Sequence, residues 1–250
     1  SDSWFQPPGI AFFFRLKFFL QMQILFEDEH LIAVNKPNGI FVHRTSLDPL
    51  ADTFVVQMVR DMIGQWVYPV HRLDRKTSGA LLLAKSKNVQ AKMNEIFRDR
   101  DIKKYYLAIV RGFTEDKFVV DYPLMNENDK IQEAISTFTT ISKIEIPISS
   151  GTFATSRYSL IHVSPETGRR HQIRRHLAHI LHPIIGDRPH GCNKQNKFFL
   201  SHFNMNTMLL HASEISFFHP VLQAETAIKA PFGGEFERMY YELGFNSMVE

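Results

Sequence analysis

A single cysteine, Cys192, stands in a chain of 250 residues. That scarcity excludes a disulfide framework and any four-cysteine zinc site, and it sets the expectation of a reducing, cytoplasmic compartment. Long apolar runs are also missing. None approaches the ~20 residues that a membrane span requires, and the best candidate, Ile10 to Leu20, is interrupted by Arg15 and Lys17. Excess charge of one sign is missing as well: 29 basic against 26 acidic residues leave +3, which excludes a histone-like polycation. No Pro/Gly/Ser-rich linker, internal repeat or low-complexity tract divides the chain. At 44% hydrophobic and 22% charged, the composition is that of a globular protein long enough to bury a sizeable core.

The first 21 residues, SDSWFQPPGIAFFFRLKFFLQ, hold six of the 22 phenylalanines. A secretory signal would carry its positive charges ahead of the apolar stretch and end at a small-residue cleavage site, and this segment does neither. Nor do its apolar residues keep to one helical face, as a membrane-surface helix would require. Residues 1–21 read as a leader or expression-derived segment outside the domain, with Met22 as the natural start and a single domain over 22–250.

Periodicity outlines that domain. Gln23–Phe26 and Leu31–Val34 read as a β-hairpin, followed by a turn at Lys36-Pro37-Asn38-Gly39. Thr53–Gly64 has helical spacing, with Gly64 as its C-cap. Ala80–Ala84 is a short buried strand, and Ser86 caps a helix running to about Arg98. Lys103–Val110, Tyr158–Val163 and Leu209–Phe218 read as strands; Arg169–Leu181 and Glu235–Leu243 read as helices. Residues 112–156 show few clean periods. Strands and helices mix without strict alternation, so the expected class is one α+β domain with a mixed, largely antiparallel sheet flanked by helices and loops.

The positive charge is concentrated. Residues 166–194 contain Arg169, Arg170, Arg174, Arg175, Arg188 and Lys194 against Glu166 and Asp187, a segment of +4 in a chain whose remainder sums to −1. Such focusing suits an anion-binding surface, with a polynucleotide backbone the anion of fitting size; a solvated helix face with incidental arginines is the alternative. His176, His179 and His182 recur at helical spacing and raise the question of a metal. No HExxH pattern occurs, no carboxylate lies between Glu166 and Asp187, and the neighbouring guanidinium groups repel a dication, so no metal is expected.

A polar loop, His71 to Gly79 (HRLDRKTSG), precedes the buried strand. Its Asp74, flanked by Arg72, Arg75 and Lys76, has by itself the chemistry of a nucleophile, a base, a metal ligand or a turn former. The string resembles the signature loop of the RluA-type pseudouridine synthases. Further segments resemble that family in the family's own order: Leu31–Gly39 (LIAVNKPNG), Lys104–Gly112 (KYYLAIVRG), Thr167–His176 (TGRRHQIRRH), His182–Asp187 (HPIIGD) and Leu209–Pro220 (LLHASEISFFHP). The likeness covers roughly residues 23–220, which are the bulk of the chain.

The resemblance implies an isomerase that turns a uridine of RNA into pseudouridine, a reaction without net oxidation or departing group, so no cofactor is expected. It implies Asp74 as the indispensable carboxylate and Arg174 as its partner, expected to hold it through a bidentate fork. Tyr106 is implied as the tyrosine that stacks on the target base and is a candidate to take the C5 proton. On a strand Tyr106 shares a face with Lys104, Ala108 and Val110, and the small Ala108 leaves room for a base, which favours Tyr106 over Tyr105. Arg72 resembles the arginine that fills the place of a turned-out base, and His71 supports the loop. Arg169, Arg170 and Arg175 are expected on RNA phosphates, with Lys36 a further phosphate contact or an ordinary turn lysine. The doubled arginines and the HLAH of TGRRHQIRRHLAHILHPIIGD, with no S4 RNA-binding module in the sequence, are similar to a tRNA-acting branch. That likeness implies a uridine in the acceptor/T-arm region, tRNA position 65, with tRNA as partner; a monomer is expected, and no membrane, since no apolar run is long enough. An rRNA uridine and a non-catalytic RNA-binding protein are the alternatives; the joint presence of Asp74, Tyr106 and Arg174 argues against the second, because binding alone does not require that trio.

Overall fold

The computed structural model describes residues 22–44 and 53–248, so the expectation for residues 1–21 lies outside the described residues. β1 (Gln23–Glu27) and β2 (Leu31–Lys36) form the expected hairpin, closed by Asp28 Oδ1, which accepts from the amides of His30 and Leu31 at 2.7 and 2.6 Å. α1 (Val55–Ile63) ends at Gly64, whose φ of 70° supplies the left-handed cap. β3 (Tyr68–Pro69) leads through the polar loop to β4 (Ser78–Ala84). α2 (Lys87–Asp99) starts where Ser86 Oγ accepts from the Val89 amide. Then come β5 (Ile102–Arg111), β6 (Lys117–Asp121), the small hairpin β7 (Leu124–Met125) and β8 (Ile131–Gln132), and the long pair β9 (Ile135–Ile146) and β10 (Ser156–Pro165). α3 (Gln172–His179), α4 (Asn193–Phe203), β11 (Leu210–Phe218), β12 (Glu225–Lys229) and α5 (Gly234–Glu242) complete the described elements apart from a 3-10 turn at Phe245–Met248.

Ten strands make one sheet in the order β1-β2-β4-β11-β5-β10-β9-β6, with β12 beside β11 and β3 beside β4. Every pairing in it is antiparallel except β4 with β11. The α+β class expected from the sequence is the class observed. β4 is buried on both faces, which its unbroken run Ala80–Ala84 requires: Leu81 and Leu83 pack with Val55, Met58 and Val59 of α1, and Ala80, Leu82 and Ala84 with Val89 and Met93 of α2. β5 divides its side chains in the same way. Leu107 and Ile109 enter the core under α4 and α5, whereas Ala108 and Val110 face Ile173 and Leu177 of α3. Tyr106 packs against both the α1-side and the α3-side cores and so marks where they meet.

Two expectations change. The helix drawn over Arg169–Leu181 is confined to Gln172–His179, because His171 takes the left-handed conformation (φ 54°). The buried Gln172 then fastens the first turn: its amide nitrogen donates to Ile135 O and Ser136 Oγ, and its Oε1 accepts from Thr167 Oγ1 and the Arg169 amide. Arg169 and Arg170 therefore belong to the approach loop. The unreadable stretch 112–156 contains β6 to β9. In β9 the polar Ser136 is buried while Ile141 is half exposed, which breaks the alternation a sequence reading relies on.

The parallel contact of β4 with β11 is close enough to demand glycine. A Cβ on Gly79 (φ 110°) would lie 2.1 Å from Ala212 O, and one on Gly186 (φ 80°) 1.6 Å from Thr207 O. Gly64 (φ 70°) has nothing within 4 Å. Gly186→Ala is expected to destabilise the fold by about 3 kcal/mol or more, since backbone must move. Gly64→Ala should cost about 1–2 kcal/mol, the left-handed penalty alone. Urea denaturation of both variants checks the ranking; equal losses would contradict the close approach.

Candidate active site

The loop between β3 and β4 is pinned from below by the turn after β2. Lys36 is fully buried, and its Nζ donates to Pro37 O, Ile40 O and Arg75 O at 3.0, 3.0 and 3.1 Å. The Gly39 amide donates to Arg75 O at 2.8 Å, and Asn38 Nδ2 donates to Lys76 O. Arg75 returns a bond from Nε to Gly39 O, and its guanidinium lies over the Phe41 ring. Burial pulls the Lys36 ammonium down to about 7, against the attraction of Asp74. The expectation of Lys36 as a phosphate contact is thus corrected: an ammonium shared among three carbonyls beneath the loop has no access to RNA. His71 is a structural group too. Its Nε2 accepts from the Leu82 amide at 2.9 Å, its ring stacks on Phe97, and burial lowers its pKa to about 3, so it stays neutral.

Above this floor Asp74 meets Arg174. Nη1 of the arginine donates to Asp74 Oδ2 at 2.7 Å. The fork expected on Asp74 is spent elsewhere, since Nε and Nη2 donate to Asp187 Oδ2 and Oδ1, both at 2.8 Å. Arg174 and Asp187 are 8% and 1% exposed in their side chains, and Asp74 23%. A buried guanidinium needs hydrogen-bond partners and a balanced charge, and the two carboxylates take three of its N–H groups and balance its charge. Asp187 is held in turn by its own backbone: its O accepts from Asn196 Nδ2, while Asn196 Oδ1 accepts from the Gly186 amide. In the sequence Asp187 stands out only as a charge among cations. A carboxylate directly after the apolar run Ile184-Ile185 and amid six cations is the signal that could have marked it as a buried partner.

Asp74 and Arg174 open into a cavity of about 1240 Å³ that Tyr106 and Lys104 also line. Burial and the charge of Asp74 raise the Tyr106 phenol above its ordinary pKa, so its hydroxyl keeps its proton. Tyr105 stands away from the cavity and stacks on His162. His171, aimed inward by its left-handed backbone, has Nε2 3.7 Å from Asp74 Oδ1 and Nδ1 2.9 Å from His190 Nε2. Burial lowers its pKa to about 4, partly offset by Asp74, so near neutral pH it is an uncharged imidazole beside the carboxylate.

Of the arginines expected at the RNA surface, Arg72 is exposed at the rim and forms no hydrogen bond or ion pair with a described residue. The other three grip the hairpin side of the cavity. Arg169 Nε donates to Glu133 O, Arg175 Nη1 to Met125 O, and Arg170 pairs with Glu127. The three histidines at helical spacing diverge: His176 bonds Ser136 and Tyr122 O, His179 stacks on Tyr122, and His182, beyond the helix, bonds Arg111 O. Among the described residues no group of three His, Cys, Asp or Glu side chains is placed to hold a metal ion. No described helix is long and apolar enough to cross a membrane.

The profile of the family described as RNA pseudouridylate synthase matches residues 30–179. A tRNA pseudouridine synthase C from Vibrio cholerae is 43% identical over 91% of this chain and 98% of the relative. One from Haemophilus influenzae is 40% identical over 91% of this chain and 100% of its own length. Among solved structures, human RNA Pseudouridylate Synthase Domain Containing 4 superposes with a TM-score of 0.69 at 22% identity, covering 94% of this chain and 97% of the human one. At that identity the likeness concerns the fold alone.

The clamp beneath Asp74 makes a titration prediction. The folded-state pKa of Lys36 lies near 7 against an ordinary 10.5, so between those values the unfolded chain binds the additional proton. Stability contributed by this group therefore rises with pH across that window. The difference in unfolding free energy, wild type minus Lys36→Met, should grow by on the order of 2 kcal/mol from pH 7 to about pH 9.5. A difference that stays flat would contradict the buried ammonium.

Proposed function

The chain belongs to the RNA pseudouridylate synthase family and is a pseudouridine synthase, and from that premise we propose that it isomerises one uridine of tRNA, at position 65 in the acceptor/T-arm region, with Asp74 as the acting carboxylate. The observation that carries the reading is the Asp74–Arg174 bond at the wall of a cavity roomy enough for a turned-out nucleotide.

The reaction breaks C1′–N1 and forms C1′–C5; C5 loses a proton and N1 gains one, so the atoms balance without a co-reactant. Arg174 occupies Asp74 Oδ2. Among the described residues Oδ1 meets only the His171 ring, at 3.7 Å, which leaves it the oxygen with an available lone pair, whether for attack at C6 of the uracil or for assisting cleavage at C1′. Tyr106 stacks on the base and retains it after cleavage. The phenol can take the C5 proton only after yielding its own, for which N1, the atom that gains a proton in the reaction, is the acceptor. The charge of Asp74 opposes that loss until it is spent on a covalent bond, because that charge is one of the two causes holding the phenol protonated. Opening a paired uridine costs a few kcal/mol, which Arg72 offsets by entering the vacated place. Arg169 and Arg175 each use one N–H on the hairpin, so further donors of each guanidinium remain for phosphates.

Mapping pseudouridine in an unmodified tRNA transcript after incubation with the purified protein tests the reading. One product at position 65 is expected. Asp74→Asn should fall below about a thousandth of the wild-type rate while RNA affinity stays within a few-fold. Modification of rRNA with no tRNA product would overturn the substrate, and an active Asp74→Asn would overturn the carboxylate.

A further inference from the structure

A second cavity, of about 350 Å³, lies away from Asp74 and is lined by Arg111, Arg157, Lys194, Ser150, Gly151 and Thr155 among others, with no carboxylate in its lining. Arg157 is engaged with Glu145 at 3.0 Å. The side chains of Arg111 and Lys194 form no hydrogen bond or ion pair with any described residue, and both are exposed. Two unneutralised cations converging on one hollow repel each other unless an anion joins them. The surroundings are shaped rather than incidental. Ser156 Oγ donates to Ile148 O and accepts from the Ser150 amide, while Gln195, held by the Tyr158 hydroxyl, reaches Ser150 Oγ at 2.7 Å. Gly151 leaves space for the lysine, since a Cβ there would meet Lys194 Nζ at 3.1 Å.

The two cavities are joined by one short segment. Pro189 and His190 line the cavity of Asp74, and Cys192 and Lys194 line the second. Four residues span at most about 14 Å, and the exposed Arg188 precedes them. A cationic path therefore leads from one hollow to the other.

We propose that the Arg111–Lys194 cavity is a second phosphate site, which takes a backbone phosphate of the same RNA whose uridine occupies the Asp74 cavity. The inference rests on the RNA reading above. A free phosphate is the other source of the same chemistry, and the test separates them. The double variant Arg111→Gln/Lys194→Gln and, as a control for charge removal elsewhere, Lys229→Gln are titrated with a tRNA transcript over a range of salt. Loss of two contacts should weaken binding by tenfold or more at low salt and reduce the slope of log affinity against log salt by about 1.5–2; Lys229→Gln should change neither. Unchanged affinity and slope in the double variant would overturn the proposal. Unchanged RNA binding together with loss of inorganic phosphate binding, read by calorimetry on the protein without RNA, would overturn it in favour of a small-anion site. If wild type itself neither binds nor modifies tRNA, the substrate reading fails, which is a different result from a wild type that binds and a double variant that binds equally.

Discussion

A guanidinium only 8% exposed has to be neutralised by the fold that buries it, and Arg174 meets that requirement with two carboxylates of unequal standing. Asp187 takes the rigid two-pronged face and is itself sealed from solvent; Asp74 takes a donor of Nη1 and is left partly open to the cavity. The asymmetry has chemical content. The inner pair fixes where the guanidinium points, and the outer bond then fixes one oxygen of Asp74 while leaving the other accessible. Removing a single member of such a triad strands a buried charge, at about 3–5 kcal/mol, so stability depends on the same three side chains to which the proposed chemistry is assigned.

The fold is arranged to bring those three together from segments 100 and 13 residues apart. Asp74 comes from the loop entering β4, which Lys36 and Asn38 hold from the turn after β2. Arg174 comes from the first turn of α3, which Gln172 ties to β9. Asp187 comes from the turn that Gly186 allows to pass against Thr207 O. The parallel pairing of β4 with β11 brings the Asp74 loop beside the strand that also pairs with β5, which carries Tyr106. Each support is a buried polar contact or a close backbone approach, and such contacts are intolerant of substitution.

Legibility in the sequence followed the same division. Elements whose side chains alternate between core and solvent, or recur at helical spacing, were readable: the β1–β2 hairpin, α1 with its Gly64 cap, α2 with its Ser86 cap, and the face of β5 that carries Tyr106. Asp74, Arg174 and Tyr106 were picked out through the HRLDRKTSG loop and its companion segments, and they converge on one cavity. What escaped is what long-range polar contacts decide. Nothing local marks His171 as left-handed, Ser136 as buried or Lys36 as the prop beneath the loop. The fork of Arg174 was assigned to the wrong carboxylate for the same reason: the choice between Asp74 and Asp187 depends on where α3 places the guanidinium, which is tertiary geometry.

That Asp187 acts on Asp74 through Arg174, and not independently of it, is the claim most open to direct measurement. A double-mutant cycle of Asp187→Asn and Arg174→Lys, read as the single-turnover rate on tRNA, separates the two possibilities. If the fork of Asp187 serves only to aim the guanidinium, Asp187→Asn alone should slow the reaction by on the order of tenfold to a hundredfold. The double variant should then be no slower than Arg174→Lys. Losses that multiply in the double variant, or an Asp187→Asn enzyme as fast as wild type, would contradict the account.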